Sequence, residues 1–356
     1  MAERNKVNDW IASVAPAISL KSDFSGPYTL NLDAKATALR NFENHREDQD
    51  NFTLGTDGSY GIPALGKDTR ASAGLKWARD HESRGSLDGT NGLDPTEYDK
   101  TTGFAGFLYK PNRLGIELKG DMTKYNFQDG RTSTGAVINN DDRDRMEYVE
   151  SLRVGYEFVP DYEGYMKGSL NQRNYSQTRD DTGFARSSKG YAAVVGVKLG
   201  FSQITSLDLF GGYMNQDYDD ARLPNVNGPT FGAQLNWSPA REWNVTGYVS
   251  RSIEETTQAN FSGFVVTTVG ADVKYKLFPA LEVRAGVSYS TNDYEKLATA
   301  ATGRDDTMAD GSIGAKYFFS RNYYVDGYYK HKLRDSSIIG SDYSNNLVFV
   351  KLGAQY

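Results

Sequence analysis

The stretch VVTTVGADVKYKL, from Val265 to Leu277, alternates between two kinds of side chain. Every second residue belongs to a mostly apolar set: Val265, Thr267, Val269, Ala271, Val273, Tyr275 and Leu277. The residues between them are mostly small or charged: Thr268, Gly270, Asp272, Lys274 and Lys276. A helix would mix the two sets around its circumference, whereas a strand puts them on opposite faces. The stretch therefore predicts a long β-strand with one apolar and one polar face.

The same alternation recurs along the chain, in the ranges 114–122, 152–158, 191–201, 243–249 and 281–289. The stretch from Val265 to Leu277 alone covers 13 residues. Strands of globular proteins usually have about 5 or 6 residues. A tilted strand needs about 9 to 11 residues to cross a bilayer. Length and alternation together predict strands that cross a membrane.

Composition agrees with this interpretation. The mean hydropathy is -0.61, and no apolar run approaches the roughly 20 residues of a membrane helix. Membrane strands bury only every second side chain, so their average is polar. The 24 tyrosines suit boundaries between apolar matter and water. The absence of cysteine fits an envelope protein, and the net charge of -6 argues against nucleic acid as a partner.

The connections between the strands alternate in kind. One class is short: Ser25-Gly26-Pro27, Gly66-Lys67, Pro111-Asn112, Pro160-Asp161, Pro239-Ala240, Pro279-Ala280 and Ser320-Arg321-Asn322. The other is longer and polar, as in QDGRTSTGAVINNDDRDR. A β-propeller blade has a similar period but shorter strands. The sequence therefore predicts a single all-β domain over residues 1–356, a transmembrane antiparallel up-and-down β-barrel of about 16–18 strands.

The strand count predicts a further strand upstream. About 17 strands can be counted from Trp10 onward, and single-chain bacterial barrels have an even number. MAERNKVNDW contains no apolar core of a signal peptide. We therefore expect the signal peptide and one upstream strand to be absent from this sequence.

Several segments at the strand ends resemble a known family. NNDDRDRMEY, RVGYEF, QDYDDARL, SRSIEETT and SDYSNN resemble the porin type 2 family of outer-membrane β-barrel porins of Gram-negative bacteria. The resemblance extends from about Val7 to Tyr356. It implies a place in the outer membrane and an upstream strand. Because many members are associated with exopolysaccharide secretion loci, it also implies polysaccharide export. It supplies no catalytic residues.

Charged residues lie between the apolar positions of the strands. A Lys or Arg facing lipid at mid-bilayer would cost about 2 to 4 kcal/mol, so these residues are expected to face the lumen. They could also form inter-strand ion pairs that stiffen the wall. Phe107, Tyr109, Phe210, Tyr248, Tyr324 and Tyr328 are also expected inside, as sugar-stacking or girdle residues. The lumen-lining candidates are Glu117, Lys119, Asp121, Arg153, Glu157, Lys198, Asp272, Lys274, Lys276, Glu282, Arg284, Lys316, Lys330 and Lys351.

No enzymatic constellation accompanies the barrel pattern. The only histidines, His45, His81 and His331, lie at strand ends with no nucleophile motif. The acidic clusters near Asp141, Asp180, Asp217 and Asp305 match no complete calcium loop. We expect these carboxylates to be exposed to water at the bases of the loops and to pair with arginines, namely Arg143, Arg145, Arg179, Arg222 and Arg304. The sequence thus predicts no enzyme, no catalytic or metal-binding residues and no cofactor.

The predicted function is a hydrophilic conduit in the bacterial outer membrane, for exopolysaccharide export or for polar solutes. The alternative is a plugged structural barrel that anchors a periplasmic or surface partner. Expected partners are outer-membrane lipid, lipopolysaccharide, polysaccharide, periplasmic export components and the outer-membrane assembly machinery. The chain ends on VFVKLGAQY, in which Val350, Leu352 and Tyr356 resemble the C-terminal signal that this machinery reads.

Overall fold

The computed structural model describes residues 7–23, 26–84, 86, 89, 92–202 and 204–355. Nearly all the regular structure is strand, besides three short 3-10 turns at His45–Glu47, Pro63–Leu65 and Asp141–Arg143. No helix in this part of the chain is long and apolar enough to cross a membrane. The strands are β1 (Ile11–Val14), β2 (Ala17–Asp23), β3 (Tyr28–Asn41), β4 (Gln49–Gly61), β5 (Arg70–His81), β6 (Glu97–Tyr109), β7 (Leu114–Phe127), β8 (Gly130–Arg131), β9 (Val137–Ile138), β10 (Arg145–Val159), β11 (Tyr162–Tyr175), β12 (Ser188–Ser202), β13 (Thr205–Tyr218), β14 (Val226–Trp237), β15 (Trp243–Glu255), β16 (Phe261–Phe278), β17 (Leu281–Lys296), β18 (Asp305–Phe318), β19 (Tyr323–Ser336) and β20 (Tyr343–Ala354).

Eighteen of these strands form one antiparallel sheet in which each strand pairs with its neighbour in sequence. The small pair β8–β9 lies in the connection from β7 to β10 and belongs to a separate sheet. Strands β1 and β2 both pair with β3, so they are two halves of one strand, interrupted at Ala15-Pro16. Proline lacks the N–H that a ladder needs, which explains the interruption. The sheet thus has 17 strand positions, in agreement with the predicted range.

The two faces of the sheet differ as the alternation predicts. Cross-strand partners share a face, because side chains alternate along each strand. One face exposes apolar residues such as Met166 (66%), Val287 (62%) and Leu352 (79%). The other face lines internal cavities to which strands on opposite sides contribute, for example Arg145 with Met308. This face is therefore the inner wall of a barrel, and the apolar face is the outer wall.

The ends of the barrel are also distinct. Turns such as Pro160-Asp161 and Pro279-Ala280 join the strands at one end, called here the turn end. The connections 128–144 and 176–187, and the described residues of the connection from β5 to β6, lie at the other, called the loop end. The up-and-down barrel prediction is confirmed. Among the described residues no strand pairing joins β20 to β1 or β2. The further strand that the sequence analysis expects upstream of β1 stays a prediction.

Aromatic side chains on the inner wall lie against glycines of the next strand. Phe210 covers Gly232, Tyr248 covers Gly270 and Tyr324 covers Gly353. The absence of a Cβ leaves room for each ring to lie flat on the wall. The expectation that Phe107 and Tyr109 face inward is wrong: they pair with Leu118 and Ile116 on the outer face.

Gly212 on β13 illustrates how close the backbones come on the inner side. A Cβ at Gly212 would collide with the carbonyl oxygen of Ala193 and lie 2.7 Å from the Cα of Val194. The neighbouring Gly211 projects to the other face and has nothing within 4 Å. The two glycines therefore provide a matched pair of positions, at which the same side chain can be added to the inner or to the outer face.

We predict that Gly212→Val strongly reduces the folded fraction, because the clash is with backbone that cannot move without breaking the ladder. Gly211→Val adds the same volume and the same β-propensity on the outer face, and it should fold like the parent. The folded fraction after refolding in detergent can be read from the heat-dependent shift of the band in gel electrophoresis. Equal folding of the two variants would show that the wall is not packed as described.

Candidate functional site

The predicted lumen residues of β16–β20 form circumferential rows on the inner wall. One row crosses five strands with alternating charge: Lys276, Glu282, Lys316, Asp326 and Lys351 are successive cross-strand partners. In the next row Lys274 lies opposite Arg284. Asp272 lies opposite Gly286, and Lys330 opposite Ser312. The register thus brings these candidates together on one inner surface; that they line a conducting lumen stays a prediction.

The candidates on β7–β12 lie on the opposite part of the inner wall, where ion pairs dominate. Lys119 bonds Asp121 at 2.7 Å. Arg153, the cross-strand partner of Glu117, bonds Glu163 at 2.7 Å. Glu157 bonds Lys110 at 3.0 Å, and Lys198 lies between Glu163 and Asp208 in the register.

The candidate assembly residues lie at the end of β20. Val350 (70% exposed) and Leu352 are on the outer face. Tyr356 lies outside the described residues, so its role stays a prediction.

The ladder divides between β14 and β15 near the loop end. Their register runs from Trp237–Val245 to Gly232–Ser250 and goes no further among the described residues. Beyond it, β14 stays paired with β13, while β15 stays paired with β16 up to Glu255–Gly263. Gly228 and Pro229 occupy this part of β14, and Gly228 has φ +154°, a conformation open mainly to glycine. Proline suits a strand edge because it donates no ladder bond.

The freed tip of β15–β16, residues 251–264, folds into the mouth of the barrel. Ile253 and Val265 are cross-strand partners at positions that belong to the outer face. They nevertheless pack against Met214 and Val226 from the inner face of β13 and β14. The outer side of the tip therefore lies against the inner wall. The opposite side carries Phe264, whose ring stacks on Tyr294 at 4.6 Å.

A buried ion pair fixes this tip to β11, which lies four strand positions from β15 around the barrel. Arg173 pairs with Glu255, whose side chain is 3% exposed, and donates to the carbonyl oxygen of Ile253 at 3.0 Å. The hydroxyls of Tyr218 and Tyr175 also donate to the Glu255 carboxylate, at 3.3 and 3.4 Å. A buried carboxylate needs such partners, because an unpaired one would be very costly.

Arg186, in the connection from β11 to β12, fastens the end of the tip. Its side chain is 1% exposed, and its Nε donates to Asp180 at 2.6 Å. The remaining nitrogens donate to the backbone carbonyls of Thr256 (3.1 Å), Phe261 (2.5 Å) and Gln258 (3.2 Å). One guanidinium thus satisfies three carbonyls of the β15–β16 tip.

Further contacts join the remaining loops around the mouth. Arg143 pairs with Glu82 at 2.6 Å, and Arg304 pairs with Asp306 at 2.6 Å and also bonds Gln258. Arg334 reaches the carbonyl of Ser86 at 3.5 Å. We call this assembly of the tip and the connecting loops the cap. It consists of residues 82–84, 86, 89, 92–96, 128–144, 176–187, 219–225, 251–264, 297–304 and 337–342.

The expectation that the acidic clusters and their arginine partners are exposed to water is wrong for some of these residues. Arg143, Arg304, Asp180 and Asp306 are buried, because the loops fold over one another instead of extending into water. Arg179 and Arg222 are exposed, as expected. Sequence reasoning also missed Arg173, Arg186 and Glu255, since a lone charge near a strand end gives no sign of a partner about 70 to 80 residues away.

Two cavities lie under the cap. One, of about 320 Å³, is lined by Arg145, Arg173, Glu147 and Glu254 among others. The other, of about 440 Å³, includes Tyr98, Tyr125 and Tyr343. Both share Arg145, whose guanidinium lies 4.4 Å from the ring centre of Tyr125. Among the described residues no group of three or more His, Cys, Asp or Glu side chains could hold a metal ion.

The carboxyl group of Asp142 makes the stability of the cap depend on pH. Burial and the nearby carboxylate of Asp181 raise the pKa of Asp142 from 3.8 to about 6. Asn139 of the same loop donates to Asp181 at 2.9 Å. The folded loops therefore hold a proton between pH 3.8 and about 6 that the unfolded chain releases. This contribution to stability is fully present below pH 3.8 and is lost as pH rises through about 6.

We predict that Asp142→Asn removes this pH dependence, since the amide is neutral throughout. Backbone hydrogen exchange of residues 139–144, corrected for the intrinsic effect of pH, should be equally slow in both proteins at pH 4. At pH 7 the parent should exchange faster than the variant. A constant ratio between the two proteins at all pH values would contradict the assignment.

The wall and its apolar exterior define an outer-membrane β-barrel, and comparison with known proteins agrees. The family model described as "Putative beta-barrel porin 2" matches residues 1–356. The chain belongs to this family, and its predicted location in the outer membrane is confirmed.

Among solved structures, the ferric citrate transporter FecA, in its unliganded form, is similar with a TM-score of 0.51 and 11% identity. The alignment covers 93% of this chain and 58% of that one. The siderophore receptor PiuA from Acinetobacter baumannii gives a TM-score of 0.45 at 10% identity, covering 93% and 64% of the two chains. The chain thus spans about three fifths of the length of these structures, and the likeness shows the fold alone. No curated protein matches it.

Proposed function

We propose that the chain forms a hydrophilic passage through the outer membrane, with a mouth that the cap closes at the loop end. The observation that carries this proposal is the inner wall itself. Below the cap it carries many charged and polar residues beside scattered aromatic rings, as in the row Lys276, Glu282, Lys316, Asp326 and Lys351. A closed structural plug would bury apolar side chains there, whereas such rows suit an aqueous lumen.

Polar solutes are the proposed cargo, and exported polysaccharide is the finer proposal. Family resemblance is the argument for polysaccharide. The inner aromatic rings supply a compatible surface, because rings that lie flat on a wall, such as Tyr248 and Tyr324, can stack on sugars. Both cargoes need an opening through the cap.

The alternative is a permanently plugged barrel that holds a partner. The buried contacts of the cap favour it, particularly the Arg186 and Arg173 contacts with the tip. The two functions differ in one respect that can be measured. A passage carries ions when its cap opens, and a plugged anchor does not.

We predict that Arg186→Ala increases the ionic current through the barrel in planar bilayers. The substitution leaves Asp180 buried without its guanidinium and three carbonyls without their donor, which should free the tip of β15–β16. Arg40→Ala is a matched control: Arg40 also bonds one carboxylate, of Asp50, and two carbonyls, but it is exposed and these three bonds lie within the β3–β4 hairpin.

The expected result is brief opening in the parent and in Arg40→Ala, and longer opening in Arg186→Ala. Absence of current from both the parent and Arg186→Ala would contradict the passage and favour the plugged barrel. Long dextran and alginate chains, added to one chamber, should reduce the current of Arg186→Ala. Indifference to both glycans would count against polysaccharide while leaving the passage for small polar solutes.

A further inference from the structure

The inner wall of β16–β20 is more basic than the wall opposite. By the register its inward positions carry nine cations and five carboxylates. The cations are Lys274, Lys276, Arg284, Lys296, Lys316, Lys330, Lys332, Arg334 and Lys351, and the carboxylates are Asp272, Glu282, Asp306, Asp310 and Asp326. The inward positions of β7 and β10–β13 carry equal numbers of both signs: six cations, Lys119, Arg145, Arg153, Lys167, Arg173 and Lys198, and six carboxylates, Glu117, Asp121, Glu147, Glu157, Glu163 and Asp208. Strands β2–β6 carry charges of both signs.

The two walls also differ in how their charges are paired. On β7–β11 the pairs Lys119–Asp121 and Arg153–Glu163 neutralise most of the charge. In the part of the chain that the structure describes, the ion pair within 4.0 Å that joins two residues of β16–β20 is Arg284–Asp326, at 2.5 Å, while Asp306 of β18 pairs with Arg304 of the cap at 2.6 Å. The lysines of this wall form no ion pair at that distance among the described residues. Lys316 instead lies 3.8 Å from the ring centre of Tyr324.

Unpaired lysines on a lumen wall attract anions and repel cations. Screening does not remove this effect, because the Debye length at physiological ionic strength is about 8 Å. An ion that passes along the wall within this distance therefore experiences its net positive charge. The chain as a whole has a net charge of -6, so the basic wall is not a consequence of overall composition.

We propose that the inner face of β16–β20, the lysine wall, is the selectivity surface of the passage and favours anionic solutes. This inference rests on the proposed function, since only a conducting barrel can select. It adds a class of cargo: small inorganic anions, and solutes that carry carboxylate, sulfate or phosphate groups.

The test is the reversal potential of Arg186→Ala in a gradient of potassium chloride. The expected sign is the one for which chloride permeates faster than potassium. Adding Lys274→Glu and Lys330→Glu changes the wall by four charges without removing an ion pair, and the sign should reverse. Adding Lys124→Glu and Lys189→Glu instead changes the total charge by the same amount, but on the outer face. The sign should then stay as it is in Arg186→Ala alone.

The outcomes separate the two proposals. A current with no preference, or with a preference for potassium, would overturn the lysine wall and leave the passage intact. A chloride preference that both pairs of substitutions alter equally would overturn it as well, because total charge would then be the cause. Absence of current in every variant would contradict the passage and, with it, the selectivity.

Discussion

The whole structure depends on the need to satisfy backbone hydrogen bonds where no water can do so. In lipid each free N–H or C=O group costs several kcal/mol, so every strand must keep an antiparallel partner over the membrane. Each pair of neighbouring wall strands from β3 to β20 accordingly shares an antiparallel register, and among the described residues only the β14–β15 register is cut short near the loop end. Continuous register fixes which residues share a face, and thereby creates the rows of charge inside and the apolar surface outside. The polar lumen is thus a consequence of the same alternation that makes the barrel.

The cap forms at the loop end, where one pair of neighbouring strands parts. There β14 and β15 separate, and Gly228-Pro229 marks the edge that β14 then presents. The freed tip loses one partner strand and finds others: Arg186 for its carbonyls, Arg173 for Glu255, and Met214 and Val226 for its apolar side. Each of the buried charges Asp180, Glu255 and Asp306 has an arginine partner, as a low-dielectric site requires.

The wall could be predicted from the sequence, while the cap could not. Period-2 alternation located the faces, and Pro160-Asp161 and Pro279-Ala280 located turns, because these signals are local. The sequence between β12 and β13 has no Pro or Gly, so no local signal predicts a turn there. Phe107 was put on the wrong face because Thr101, Thr102 and Gly103 blur the alternation of β6. The contact between Arg173 and Glu255 joins strands four positions apart around the barrel, and no local pattern encodes it.

The position of Ile253 tests the central claim, that the β15–β16 tip lies inside the mouth. The chain has no cysteine, so a single Ile253→Cys substitution can be probed with a lipid-soluble maleimide, beside Val287→Cys on the outer wall. Residue 253 should remain unlabelled in the folded barrel while residue 287 reacts. If β15 stayed beside β14 to its end, residue 253 would face outward and react as fast as residue 287, and the tip would then lie in the wall and not in the mouth.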